Sequence, residues 1–449
     1  MDVFAGHNTL TTHRLLHMRF TMPTSSTPSR RSFLQSTAAV SAATAGGVLL
    51  SAPHVHAAGN DTLKLALIGV GGRGTGAVED AFAADKNTKL IAMCDIFPDR
   101  LEERYEPLKK TYGDRIDVPK ERRFSGFEGY KQAIDCGADV ILLCTSPGFR
   151  PLHLKYAVQQ GKHVFMEKPH ATDATGLRSV LESVKLAKEK KLSIVSGFCY
   201  RYDAFKRETM KRIEGGAIGD ILAMHSTYLT GDLWFRGADP KWSEMEYQIR
   251  NWYYYTWLSG DFLVEQHIHN IDKIAWVMNG ELPIAATGMG GRQSRTDKKY
   301  GNIFDNFTVV YEYASGAKVF SQCRQAGGCY SDVNDQIIGS KGTAQLQQHT
   351  ITSEGKTWKH PGKHSLGPAY VREHIELYGA IRAGEVINDG ERSAYSTLMG
   401  IMGREAAYTG QRITWKQMLE SKQNLQPKEY AWGPNPVPTA AIPGQTKFI

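Results

Sequence analysis

The chain is expected to fold as two α/β regions in series, a doubly wound parallel sheet followed by a strand-rich domain of antiparallel type. Three observations point there. Residues 63–68 form a short apolar run that enters a glycine-rich turn and then a helix-like stretch. Strand-like and helix-like segments alternate from there to residue 197, the pattern of parallel strands joined by crossover helices. Beyond residue 220, segments such as 306–313 and 318–322 alternate apolar and polar with period two, as strands buried on one face do.

With 449 residues the chain exceeds one ordinary core, and 41% hydrophobic with 22% charged residues excludes a disordered, collagen-like or coiled-coil protein. No unbroken apolar stretch approaches the ~20 residues a membrane helix needs. Of the net charge of +8, four arginines against Asp2 before Ala58 supply +3, which leaves about +5 spread over the rest. Scattered charge without a basic, aromatic-interleaved run excludes a nucleic-acid partner. Six cysteines show no metal-ligand spacing; most are expected as buried thiols, with a Cys323–Cys329 disulfide conceivable in an oxidising compartment.

Residues 1–60 read as an address label. Arg30-Arg31 with Phe33-Leu34 precedes a mildly apolar, Ala-rich run to Leu50 and then Val55-His56-Ala57, with short side chains where cleavage occurs. The order resembles a twin-arginine export signal. It is longer than such a leader requires, so Met18 or Met22 is an alternative start. Export of folded protein implies a periplasmic or otherwise exported location, and a cofactor loaded beforehand and held tightly.

In the first domain (61–200), strand 63–68 leads into Gly69-Val70-Gly71-Gly72-Arg73-Gly74, helix 75–84, and strand 90–94 ending in Asp95. Gly69 permits the tight turn, Gly71 the approach of a pyrophosphate, and Gly74 close helix packing, while the helix N-terminus supplies N–H donors. Asp95 is placed to accept the ribose hydroxyls, which favours NAD over NADP; Arg100 softens that preference. Strands 139–144, 163–166 and 192–197 and helices 153–160 and 175–190 continue the alternation. Ligands bind at the C-terminal ends of such strands, which places Thr145, Pro147 and Glu167-Lys168-Pro169 beside the cofactor, with Arg73 on the turn and His153 at the cofactor edge.

Glu167-Lys168-Pro169 after Gly161-Lys162-His163-Val164-Phe165-Met166 resembles the hallmark of the glucose-fructose oxidoreductase, inositol dehydrogenase and rhizopine-catabolism (Gfo/Idh/MocA) family. The likeness continues through Gly197-Phe198-Cys199-Tyr200-Arg201-Tyr202, Gly215-Gly216-Ala217-Ile218-Gly219 and His269-Asn270-Ile271-Asp272, over about residues 62–415. It implies a Rossmann domain joined to an α/β domain (201–415) whose open, mostly antiparallel sheet walls the substrate pocket and often an oligomer interface. It also implies that Lys168, an acid and a histidine handle a proton. By that alignment Glu265 stands where the family has Asp, His267 where it has Gly, and His269 at the family histidine; Lys168, Glu265 and His269 are the catalytic candidates. On one helix, positions 265, 269 and 272 would share a face. Glu265, His267 and His269 would alternatively suit a divalent metal, but the family uses none and no metal is assigned.

The aromatic-dense segment 234–257 suits a carbohydrate, whose C–H faces stack on rings while hydroxyls hydrogen-bond. Arg201, Tyr202, Arg250, Asn251, Trp252 and His267 are the substrate-side candidates, with core packing the plainer role for any single aromatic. Helices 370–381 and 393–408 are expected to close the second domain, and the proline-containing tail within 416–449 to run extended onto a neighbouring subunit of a homo-oligomer. The leading function is an exported NAD(P)-dependent oxidoreductase of a sugar, cyclitol or derivative. The alternatives are an NAD-dependent glycoside hydrolase or lyase working by transient sugar oxidation, and a non-catalytic sugar-binding protein. The partners implied are a small carbohydrate and the twin-arginine export machinery, with no stable membrane insertion.

Overall fold

The computed structural model describes residues 61–449, so the export segment lies outside the described residues. Strands β1 (Leu63–Ile68), β2 (Thr88–Asp95), β3 (Arg123–Ser125), β4 (Val140–Leu143), β5 (His163–Met166) and β6 (Ile194–Ser196) form a parallel sheet in the order β3-β2-β1-β4-β5-β6. Between them run α1 (Gly72–Ala84), α2 (Pro98–Tyr112), α3 (Gly129–Asp135), α4 (Arg150–Gln159) and α5 (Ala174–Glu189). Both faces of β1 are buried: Leu63, Leu65 and Leu67 enter one core while Ala66 and Ile68 enter the other. That two-sided burial explains why the strands read as continuous apolar runs, with no alternation.

The chain then crosses through α6 (Ala204–Glu214), N-capped by Asp203, into β7 (Ile221–Thr230). Helices α7 (Glu244–Arg250), α8 (Thr256–Ser259), α9 (Phe262–Glu265) and α10 (Ile268–Val277) follow. Next come β8 (Ala285–Gly291), β9 (Asn306–Glu312), β10 (Lys318–Gln325), β11 (Asp332–Gly339), β12 (Gly342–Gln345), β13 (Thr350–Ser353) and β14 (Lys356–Lys359). With β15 (Ile413–Thr414) they form a nine-stranded sheet ordered β14-β13-β12-β11-β7-β10-β9-β8-β15, parallel at β7–β10 and antiparallel elsewhere. The expected architecture, a Rossmann-type sheet plus an open, mostly antiparallel one, is the one observed. On the inner face Val309 and Tyr311 pack against Gly403 of the long helix α12 (Gly390–Thr409), the Tyr311 hydroxyl donates to the Met399 carbonyl at 3.0 Å, and Ala407 packs on Gly288. The outer face leaves Met289, Phe320 and Ile338 exposed.

Three expectations need correction. Helix α11 (Gly367–Ala383) packs on α1, with Leu377, Tyr378 and Ile381 in the core that also holds Leu65 and Phe165; it returns to the parallel sheet and does not close the second domain. Cys323 is buried and Cys329 exposed, and both are free thiols. The tail after α13 (Trp415–Glu420) is irregular as expected, but it packs on its own chain. Trp432 stacks on Phe97 at 5.8 Å, Tyr430 meets Phe149 at 5.4 Å, and the Asn435 amide nitrogen donates to Gln248 at 3.0 Å.

Candidate active site

The first wall of the site is backbone. Gly69 sits at φ +92°, and a Cβ there would lie 2.7 Å from the Cys144 carbonyl carbon and the Thr145 nitrogen. At Gly74 a Cβ would stand 1.9 Å from the Gly69 oxygen, so only glycine lets α1 pack this closely on β1. Gly71 differs: a Cβ there meets nothing within 4 Å, because the residue faces open space at the N-terminus of α1. That end has no side-chain cap and no acid in its first turn, so its amides remain available to an anion. The geometry fits a dinucleotide's phosphates.

Asp95 closes the same wall at the tip of β2. Its Oδ2 accepts the Val70 amide at 2.9 Å and its Oδ1 the Phe97 amide at 3.1 Å, so the carboxylate braces the glycine turn while lining the cavity. Burial raises its pKa, opposed by the Arg100 guanidinium 4.0 Å away. A carboxylate oxygen has more than one acceptor direction, so ribose hydroxyls can still be received.

Arg73 reaches from the turn to Glu167, Nε to Oε1 at 3.1 Å, and also pairs with Asp80, while its guanidinium lies 4.9 Å over the Tyr370 ring. It thereby ties the tip of β5 to the tip of β1. Thr145 Oγ1 meets His153 Nδ1 at 3.3 Å, and burial first, then the Arg150 charge, push His153 down to about 3. Arg150 itself, unnoticed in the sequence, is buried and donates to the Pro169 carbonyl at 2.5 Å; burial lowers it to about 10. Pro147 is buried in a single 3-10 turn before α4, and its neighbours Thr145 and Ser146 face the cavity in its place.

The opposite wall is made of side chains. Lys168 Nζ donates to the Glu265 Oε1 at 2.8 Å and to the Glu265 carbonyl at 2.6 Å, with both side chains mostly buried. The Lys168–Pro169 peptide is cis. His269 lines the same cavity, its ring 5.3 Å from that of Tyr200, and its Nδ1 is buried without a hydrogen-bond partner. Burial first, then the charges of Lys168 and Lys273, hold its pKa well below 6.5, so the imidazole is neutral at physiological pH. Glu265 and His269 do not share one helix as expected. The chain breaks at Gln266–His267 between α9 and α10, and the two residues converge from two short helices.

The cavity between the walls measures about 710 Å³, within the ~300–1,000 Å³ usual for small-molecule sites. It runs without interruption from Gly71 and Asp95 past Glu167 to Lys168, His269, Arg250 and Trp252. Trp234 and Arg236, inside the aromatic-dense segment expected to meet a carbohydrate, also line it, as does Tyr228, which was not singled out in the sequence. The Trp234 and Trp252 rings stand 6.1 Å apart, with Arg236 4.5 Å over Trp234.

Four substrate-side candidates prove to be structural. Arg201 makes a two-pronged ion pair with Asp272 at 2.7 and 3.0 Å and lies over Trp276. Burial alone would raise the Asp272 carboxyl; Arg201 outweighs that and holds it low. Tyr202 is buried with its hydroxyl on Asp389. Asn251 is fully buried and accepts the Arg236 amide at 2.9 Å while donating to the Gly237 carbonyl at 3.0 Å, so it positions the loop that carries Arg236. His267 turns away to Ser321 Oγ at 2.6 Å, pushed down to about 3 by burial and then Lys273. With His267 there and Lys168 on the Glu265 carboxylate, these residues do not assemble a metal centre. Arg250 lines the cavity but is already shared between Asp99 and Glu246.

Two family models match the chain. Residues 63–198 match the oxidoreductase family with NAD-binding Rossmann fold, and residues 207–345 the GFO/IDH/MocA C-terminal domain. Inositol 2-dehydrogenase 3 of Saccharopolyspora erythraea is 29% identical over 51% of this chain and 63% of that protein. Inositol 2-dehydrogenase of Rhizobium meliloti is 25% identical over 73% of this chain and 93% of its own. A glycosyl hydrolase family 109 protein of Porphyromonas gingivalis is 26% identical over 39% and 36%. Among solved structures, levoglucosan dehydrogenase in complex with NADH and levoglucosan superposes with a TM-score of 0.63 at 19% identity, covering 79% of this chain and 99% of that one. That likeness is one of fold.

Proposed function

Because the chain belongs to the Gfo/Idh/MocA family of NAD-binding oxidoreductases and is a dehydrogenase of CH–OH groups, we propose that it oxidises a sugar, cyclitol or sugar derivative, with Lys168, Glu265 and His269 handling the hydroxyl proton. The observation that carries the reading is the cavity joining an open Gly71 turn to a neutral His269 with a bare Nδ1, beside a fixed Lys168–Glu265 pair.

The α1 amides, Asp95 and the tips of β4 and β5 would hold a nicotinamide dinucleotide, which would supply the acceptor for a C–H hydrogen with its electron pair. The chain supplies the rest. Lys168, its ammonium fixed by two Glu265 oxygens, donates a hydrogen bond that orients the substrate hydroxyl. The neutral His269 accepts the hydroxyl proton as the carbonyl forms, and in the reverse direction returns it. Trp234, Trp252, Arg236 and Tyr228 offer rings and donors for the remainder of a polyhydroxylated substrate.

Further parts of the reading concern cofactor, location and assembly. NAD is favoured over NADP by the buried Asp95, and the cofactor is tightly held. Export through the twin-arginine pathway rests on the sequence of residues 30–57, and self-association on the exposed outer-face side chains Met289, Phe320 and Ile338. A second reading, redox-neutral glycoside hydrolysis, is favoured by the partial match to a family 109 glycosyl hydrolase. Purified protein should retain nicotinamide dinucleotide through dialysis. Mixing it with free polyols and with aryl glycosides then separates the readings: ketone and reduced nicotinamide from the former support the dehydrogenase, and aglycone release without net reduction supports the hydrolase. Protein that neither retains nor binds the dinucleotide would defeat both.

A further inference from the structure

A second cluster of ligand-type side chains lies outside the cavity, where the link between the two sheets meets the β12–β14 hairpins. Asp203, which caps α6, His349, in the turn between β12 and β13, and His364, in the loop after β14, each present one ligand atom, and the three atoms lie within 4.8 Å of one another. His364 Nε2 is 2.7 Å from Asp203 Oδ2, and the His349 and His364 rings are 4.5 Å apart. His349 is the unusual member. It is 4% exposed, its backbone is held at φ +52°, and neither ring nitrogen has a hydrogen-bond partner. Buried polar atoms are nearly always paired. His170, His267, His269 and His374 each leave one ring nitrogen bare, whereas His349 leaves both.

We propose that Asp203, His349 and His364 form a binding site for a divalent transition metal, Zn²⁺ by its ligand set, with the fourth position open to water. Two imidazoles and a carboxylate are a zinc donor set. Ligand atoms on a tetrahedral Zn²⁺ stand about 3.3 Å apart, given bonds of about 2.0–2.1 Å. The cluster reaches that spacing by opening the His364–Asp203 contact slightly and drawing His349 in. The Phe205 ring lies 5.4 Å from both imidazoles and 3.7 Å from that of His360, an apolar backing for the site. His360 is held apart by its own Nδ1 contact to the Pro361 carbonyl at 2.6 Å. Lys206 Nζ, 3.3 Å from Asp203 Oδ2, competes for the same oxygen and is the group the metal must displace.

The test uses the purified full chain, stripped with chelator and titrated with Zn²⁺ alone and with Co²⁺ alone. The expected result is one saturable equivalent that H364A, a change at a partly exposed side chain, weakens at least 30-fold. The Co²⁺ form should show the strong visible absorption of four-coordinate cobalt, absent in H364A, and Zn²⁺ should raise the melting temperature of wild type but not of H364A. H349N should reproduce the loss of affinity. Saturable binding that is equally tight in H364A, or no saturable binding by the wild-type chain, would overturn the proposal.

Discussion

The glycine-turn wall of the cavity is backbone braced by one carboxylate, all from the contiguous stretch 63–95, whereas the facing wall is side chains brought together from residues 168, 228, 234–252 and 265–269. The first holds its ligand by shape and by amides the helix cannot use itself; its residues matter for what they lack. The second holds groups in place: a lysine Nζ pinned by two oxygens, and an imidazole kept neutral by burial. A change in the first wall should therefore act on cofactor affinity, and a change in the second on turnover.

The largest effect is expected in the side-chain wall. His269→Asn should lower kcat/KM by about 10²–10⁴, with nicotinamide affinity within about threefold of wild type and an unchanged melting temperature; a parallel loss of cofactor binding would break the division between the walls. In the backbone wall the two glycines should separate. Gly74→Ala drives a Cβ into the Gly69 carbonyl and should lose both fold stability and cofactor. Gly71→Ala meets no protein atom and should melt like wild type while binding dinucleotide at least tenfold more weakly, as read by titration calorimetry.

Arg201 sharpens the comparison from outside both walls. Arg201→Met leaves Asp272 buried without its partner and should cost about 3–5 kcal/mol in denaturant unfolding, with KM unchanged in the folded enzyme. A selective rise in KM would return Arg201 to the substrate. Trp252→Ala should raise KM about tenfold, the scale of one lost ring contact with its desolvation. The smallest effect is on pH dependence. His269 must be neutral to accept a proton, and its pKa is depressed, so the acid limb of kcat/KM for oxidation should lie below pH 6.5 with activity retained above it. A limb at or above 6.5 would contradict a buried, neutral base.

The two walls also differ in how far the sequence discloses them. Gly69, Gly71, Gly74 and Asp95 were legible because a dinucleotide turn is local: strand, turn, helix and acid follow one another within 33 residues, 63–95. Lys168 was placed at a strand tip beside the cofactor, but Glu265, His269 and their catalytic partnership with Lys168 were found only through the family resemblance, since Lys168 and Glu265 lie 97 positions apart and only the fold brings them together. Arg201, Tyr202, Asn251 and His267 were misplaced for a shared reason. Each is a polar residue beside a motif, and neighbouring position does not say whether the side chain faces the cavity or a buried partner such as Asp272 or Ser321. Strand β8, AATGMGG, was missed because its glycines carry no strand propensity, and it is held by pairing with β9. Trp234 and Arg236 were legible only as part of the aromatic-dense stretch 234–257, and Tyr228 carried no local signal beyond its residue type.

Proton handling by His269, in a cavity whose glycine turn suits a nicotinamide dinucleotide, is the step on which turnover should depend. The direct test is to load wild type and His269→Asn with NAD to equal occupancy, mix each with a panel of polyols, aldoses and cyclitols, and follow reduced-nicotinamide fluorescence in a single turnover. The expected result is rapid reduction by at least one substrate in wild type and a rate at least a hundredfold slower in the variant. Equal rates in the two proteins would contradict it.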